Sequence, residues 1–88
     1  MAIHNGQVIA NMTPVQIGVK STSPSKLYIY NMTNYDDIYL GNNEVTVSNG
    51  LELHPHVTYT LELLPNDEIW AVTTTANQDH TVSWLQVV

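Results

Sequence analysis

The sequence predicts an all-β fold: a single small antiparallel β-sandwich or barrel of about eight short strands. Three observations carry that reading. Apolar and polar residues alternate with a period of two almost everywhere, and no stretch repeats at i, i+3, i+4 and i+7 over three turns. Val, Thr, Tyr and Ile, which pack well on a pleated surface, are frequent. Clusters of Gly, Pro, Asn, Asp and Ser punctuate the alternation at short intervals.

Residues 1–13 are polar with isolated apolar positions (Ile3, Val8, Ile9, Met12), and are expected to form an N-terminal arm or edge strand; residues 14–88 make the sandwich. Strands are expected near 6–10, 14–20, 26–33, 37–41, 44–48, 57–63, 68–74 and 80–88. Val15, Ile17 and Val19 oppose Gln16, Gly18 and Lys20, so the 14–20 strand has one wet face. The 44–48 strand would turn Val45 and Val47 inward and Thr46 and Ser48 outward. In 57–63, Val57, Tyr59, Leu61 and Leu63 share the core side while Thr58, Thr60 and Glu62 share the other. Turns fall at 21–25, Asn42-Asn43, Asn49-Gly50, Pro65-Asn66-Asp67 and Ala76-Asn77-Gln78-Asp79.

Three strands are apolar on both sides. Leu27 and Ile29 oppose Tyr28, Tyr30 and Met32; Ile69 and Ala71 oppose Trp70 and Val72; Val82, Trp84 and Val88 oppose Leu85 and Val87. A small sandwich has one core, so the second faces need cover. Tyr, Trp and Met are enriched at interfaces, which makes Tyr28, Tyr30, Met32, Trp70, Val72 and Leu85 the candidate protein-interface residues. The N-terminal segment folding over that face is the competing account, and scattered exposed aromatics a third.

An 88-residue chain buries a modest core, and oligomerisation is a common remedy. There is no cysteine, so disulfides and thiolate metal sites are excluded. Lys20 and Lys26 are the only basic residues besides histidine, against eight carboxylates, for a net charge of -6. Nucleic-acid binding needs cations that neutralise phosphates, and anionic lipid surfaces need them too; neither partner is expected. The N-terminus has no basic region and no long apolar run, so a soluble protein made and used without export is expected. The N-x-T sequons at Asn11 and Asn31 read as accidental.

Reactive chemistry is sparse. The chain holds no G-x-S-x-G, P-loop, G-x-G-x-x-G or Cys-His pair, and nothing fixes two carboxylates at a catalytic spacing. No enzymatic activity and no cofactor are expected. His54-Pro55-His56, with Glu52 in phase and His80 as a further ligand, is the one motif on which zinc or nickel could sit, if both imidazoles share a face. Its plainer reading is a loop in which Pro55 ends pairing and both rings are solvated. Asp36-Asp37 and Asp67-Glu68 lack the spaced ligands of a calcium loop, since adjacent side chains on a strand diverge. Trp70 and Trp84 could stack on sugars or simply pack.

Asp37-Ile38-Tyr39-Leu40-Gly41, Val45-Thr46-Val47-Ser48-Asn49-Gly50, Thr60-Leu61-Glu62-Leu63, Asp67-Glu68-Ile69-Trp70-Ala71-Val72 and Thr81-Val82-Ser83-Trp84-Leu85-Gln86-Val87 run in an order that resembles small β-sandwich structural proteins of tailed bacteriophages. The resemblance covers residues 26–88 and departs at His54-Pro55-His56, where the pattern has a small Pro/Gly loop. It implies a non-enzymatic virion component. Of the kinds in that group, a capsid decoration (cement) protein is the expectation: a homotrimer on the outer surface of the head, made in the host cytoplasm and bound to the major capsid protein. A tail or fibre module that binds host glycan is the alternative.

Overall fold

A computed structural model of the chain describes residues 2–33, 36–74 and 80–88. Among them are eight strands and no helix: β1 (Ile3–Ile9), β2 (Val15–Ile17), β3 (Ser25–Asn31), β4 (Ile38–Gly41), β5 (Leu51–Leu53), β6 (Thr58–Leu63), β7 (Ile69–Val72) and β8 (Thr81–Val87). They form two four-stranded sheets, ordered β1-β8-β3-β6 (sheet A) and β2-β7-β4-β5 (sheet B), with every pairing antiparallel. The chain is thus an all-β sandwich. Only β4 and β5 are neighbours both in sequence and in a sheet. Every other connection crosses between sheets, and this strand order is that of a jelly roll.

The period-two pattern sets which side chains meet. On sheet A the inner row is Leu27 and Ile29 of β3, Val82, Trp84 and Gln86 of β8, and Tyr59, Leu61 and Leu63 of β6. On sheet B it is Ile17, Ile69, Ala71, Ile38, Leu40 and Leu53. These rows interdigitate as one core. Each fully buried Leu or Ile there contributes about 1.5–3 kcal/mol.

Two amides lie inside the core end to end with the apolar rows. Gln86 is fully buried; its carbonyl oxygen accepts from Val19 N–H at 2.8 Å, and its Nε2 donates to Val19 C=O at 3.0 Å and to Ser25 Oγ at 2.9 Å. The side chain thereby supplies the ladder partner that Val19 lacks once β2 has ended. β2 ends because Gly18 takes a φ of +80°, and a side chain there would stand 2.7 Å from Gln86 Oε1. The strand expected over 14–20 is accordingly only three residues long. Asn31, also fully buried, donates to Leu53 C=O at 2.8 Å and to Asp36 C=O at 3.1 Å, tying β3 of sheet A to β5 of sheet B. Its burial removes it as a glycosylation acceptor.

The strand expected at 44–48 does not form. Residues 42–50 are a folded turn, and the strand lies later, at 51–53. Side chains outcompete the ladder here. Asn42 Oδ1 accepts from Glu44 N–H at 2.9 Å, Asn49 Oδ1 from Thr46 N–H at 2.8 Å, and Thr46 C=O from Gly50 N–H at 2.9 Å. Val45 is buried as expected, but Val47 is 41% exposed rather than inward. The expected turn at 76–79 lies outside the described residues.

Candidate functional site

The outer face of sheet A carries the side chains that alternate with its core row. Tyr28 stands opposite Leu85, and Tyr30 opposite Ser83, across the β3–β8 pairing; Met32 follows at the end of β3, its N–H bonded to Thr81 C=O at 3.0 Å. Ile3 and Ile9 extend the row on β1, opposite Val87 and Thr81. Ile3, Ile9, Met32 and Leu85 are 63, 50, 40 and 39% exposed, and Tyr28 and Tyr30 are half-buried. Charge is confined to the β3–β6 margin, where Lys26 faces Glu62 in register. Tyr28, Tyr30, Thr58, Ser83 and Leu85 line a shallow groove of about 180 Å³. That is below the ~300–1,000 Å³ usual for ligand pockets, and suits contact with another protein surface. Four of the six candidate interface residues therefore share one face.

The other two do not. Trp70 and Val72 lie on the outer face of sheet B, opposite Gly41 and Tyr39. Trp70 is half-buried, but Val72 is 3% exposed within the single chain and has no surface to offer a partner. The 42–50 turn folds back onto this face. Val45, 4% exposed, sits where a Gly41 side chain would be, with its Cγ2 2.8 Å from that position. Gly50 likewise approaches Tyr39 so closely that a Cβ would fall 2.7 Å from Tyr39 Cβ. Val45 and Val72 belong to no part of the inter-sheet core. Val45 and Val72 are buried within the single chain, while Trp70 and Tyr39 on the same face are half-buried.

His54-Pro55-His56 is a tight turn, with His54 C=O accepting from Val57 N–H at 3.3 Å and His56 at a φ of +61°. The two imidazoles do not share a face. His56 Nδ1 meets the Tyr30 hydroxyl at 2.9 Å, beside sheet A, whereas His54 Nδ1 meets Asp37 Oδ1 at 2.9 Å beside sheet B. The β4–β5 register, continued one step past Ile38 and Leu53, places Asp37 opposite His54. Glu52 approaches the other ring nitrogen, Nε2, at 3.9 Å. Asp37, Glu52 and His54 are thus close enough to hold an ion. Yet the two carboxylates face different ring nitrogens, Asp37 at Nδ1 and Glu52 at Nε2. The hydrogen bond to Asp37 and its charge, with a smaller contribution from Glu52, hold the His54 pKa above its ordinary value. Burial, then Glu52 and Asp37, raise the nearby Tyr39 phenol.

Asp36 and Asp67 have structural partners. Asp36 bonds His80 Nε2 at 2.5 Å while Asp37 serves His54, so the adjacent carboxylates diverge. Asp67 caps the Pro65-Asn66 turn by accepting from Leu64 N–H at 2.9 Å. His80 is paired with a carboxylate and is 1% exposed. Trp84 lies on the inner side, partly buried against the core, its ring 3.0 Å from the position a Gly6 side chain would take. The buried roles of Gln86, Asn31 and His80 carry no local sequence signal, because each depends on backbone from a distant segment.

Comparison with protein-family models, curated proteins and solved structures gives no match to this chain.

Proposed function

We propose that this chain is a non-enzymatic structural protein of a bacteriophage virion, of the capsid-decoration kind, which docks the outer face of sheet A on the major capsid protein as a symmetric oligomer. The observation that carries the docking role is the row Tyr28, Tyr30, Met32 and Leu85, aligned in register on an uncovered sheet face with no charge among them. The viral setting rests on the sequence resemblance over residues 26–88. The jelly-roll order supports it by analogy, since viral capsid domains use that architecture, although lectin domains and cupins do as well. Many copies on a symmetric lattice turn a weak contact into tight attachment.

Co-sedimentation with phage heads stripped of surface proteins tests the reading. The chain is expected to pellet with heads, and the Tyr28→Ala/Leu85→Asp variant to stay in solution while keeping its fold. No pelleting of the unaltered chain, or equal pelleting of the variant, rejects it. Glycan binding at a tail or fibre is the second reading, favoured by the half-buried Trp70 on sheet B. It expects sugar-dependent quenching of indole fluorescence that Trp70→Ala abolishes.

A further inference from the structure

A four-stranded sheet has two edges, and natural proteins protect them with shortness, charge or proline. Three of the four edge strands here are protected in those ways. β2 and β5 are three residues long, and β5 carries Glu52 at its centre. β6 carries Glu62 and runs into Pro65. β1 is different: seven residues, Ile-His-Asn-Gly-Gln-Val-Ile, with no proline, no carboxylate and no lysine.

The ladder shows which of its backbone groups are spoken for. Ala2 and Val88 exchange N–H···O bonds in both directions, at 3.3 and 2.8 Å, and Ala10 N–H reaches His80 C=O at 2.8 Å. An antiparallel ladder alternates, so Ala2, His4, Gly6, Val8 and Ala10 turn their backbone groups toward β8. Ile3, Asn5, Gln7 and Ile9 turn theirs to the open edge, where no backbone partner meets them among the described residues.

We infer that a second copy of the chain pairs with β1, antiparallel, across a two-fold axis at Gly6. In this register Ile3 faces Ile9 of the second copy, and Asn5 faces Gln7 of the second copy. Every outward N–H and C=O then meets an outward group. A shift by one residue sets these groups against ones already used by β8. A shift by two loses a pairing and places Ile3 on an amide. The strand reads alike in both directions about Gly6: isoleucine at both ends, a carboxamide on either side of the centre. That self-complementarity selects a second copy over an unrelated strand. Charge agrees, because β1 and its neighbour β8 carry no carboxylate, so copies of a chain with net charge -6 meet along their least acidic margin. The product is one continuous sheet in which two apolar outer faces lie side by side. The pairing does not rest on the capsid reading.

Light scattering from micromolar to millimolar concentration tests it. The mass is expected to rise toward twice 9.8 kDa. Asn5→Lys/Gln7→Lys sets lysine against lysine at both central pairs and is expected to weaken the dimer about tenfold. Asn5→Lys/Gln7→Glu restores opposite charges in this register alone and is expected to keep the dimer. Both positions are solvent-exposed, so the fold is retained, as circular dichroism checks. Gln7→Pro removes an outward N–H without touching the β8 ladder and gives the same loss by a second route. A monomer throughout, a mass of three copies, or a dimer indifferent to the lysine pair overturns the inference. Head binding is scored separately, by co-sedimentation of the same variants.

Discussion

The two outer faces of the sandwich begin alike and end differently. β3 and β7 are each apolar on both sides, and each turns aromatic side chains away from the core: Tyr28 and Tyr30 on sheet A, Trp70 on sheet B. Sheet B has a nine-residue connection, 42–50, between its only sequence-adjacent strands, and that connection returns to bury Val45 against Gly41. Sheet A has no such connection, because all its pairings join strands distant in the chain. Its outer face stays open. An apolar outer face thus fares differently where topology leaves a loop to cover part of it.

The largest effect expected from this contrast is on stability. Val45→Asp places a carboxylate under the 42–50 turn and is expected to cost about 3 kcal/mol or more. Leu85→Asp, at a position already 39% exposed, is expected to change stability by only about 0.5 kcal/mol. Urea denaturation of both variants checks the pair, and equal losses would mean that sheet A is covered as well. Next in size is Gly41→Ala, whose new methyl group lies 2.8–2.9 Å from Val45 Cγ2 and Cβ. Overpacking there is expected to cost about 1–3 kcal/mol and to shift Trp70 emission as the turn lifts. The smallest effect is on pH dependence. His54, beside Asp37, titrates above its ordinary pKa of 6.5. The folded state therefore binds this proton more tightly than the unfolded chain. Its stabilisation is fully present below about 6.5 and is lost as pH rises through the raised folded value. An NMR titration is expected to show a midpoint above 6.5 that Asp37→Asn lowers, and a midpoint unmoved by that change would detach His54 from sheet B.

The face assignments were legible in the sequence wherever a strand was long. Alternation in 57–63 puts Tyr59, Leu61 and Leu63 on the core and Thr58, Thr60 and Glu62 in water, as the structure has them. It misleads at 44–48. Val-Thr-Val-Ser alternates like a strand, yet Asn42, Thr46 and Asn49 satisfy its backbone locally, and the flanking Asn-Asn and Asn-Gly pairs were the available warning. Of the candidate interface, Tyr28, Tyr30, Met32 and Leu85 were readable because they share strand parity on one sheet. Val72 was not, since the same parity on β7 leads to a position buried within the single chain.

The sequence by itself determined the all-β class, the two-sided strands, the absence of thiol chemistry and the lack of cations for nucleic acid. These follow from residue type and from a period of two, which are local properties. Tertiary structure alone decided that Gln86 and Asn31 are buried, that His54 and His56 part company, and that one apolar face is partly covered by the 42–50 turn while the other is open. Those outcomes depend on which distant segments the jelly-roll order brings together, and a buried amide or an uncovered tyrosine is defined only by the neighbours that topology supplies.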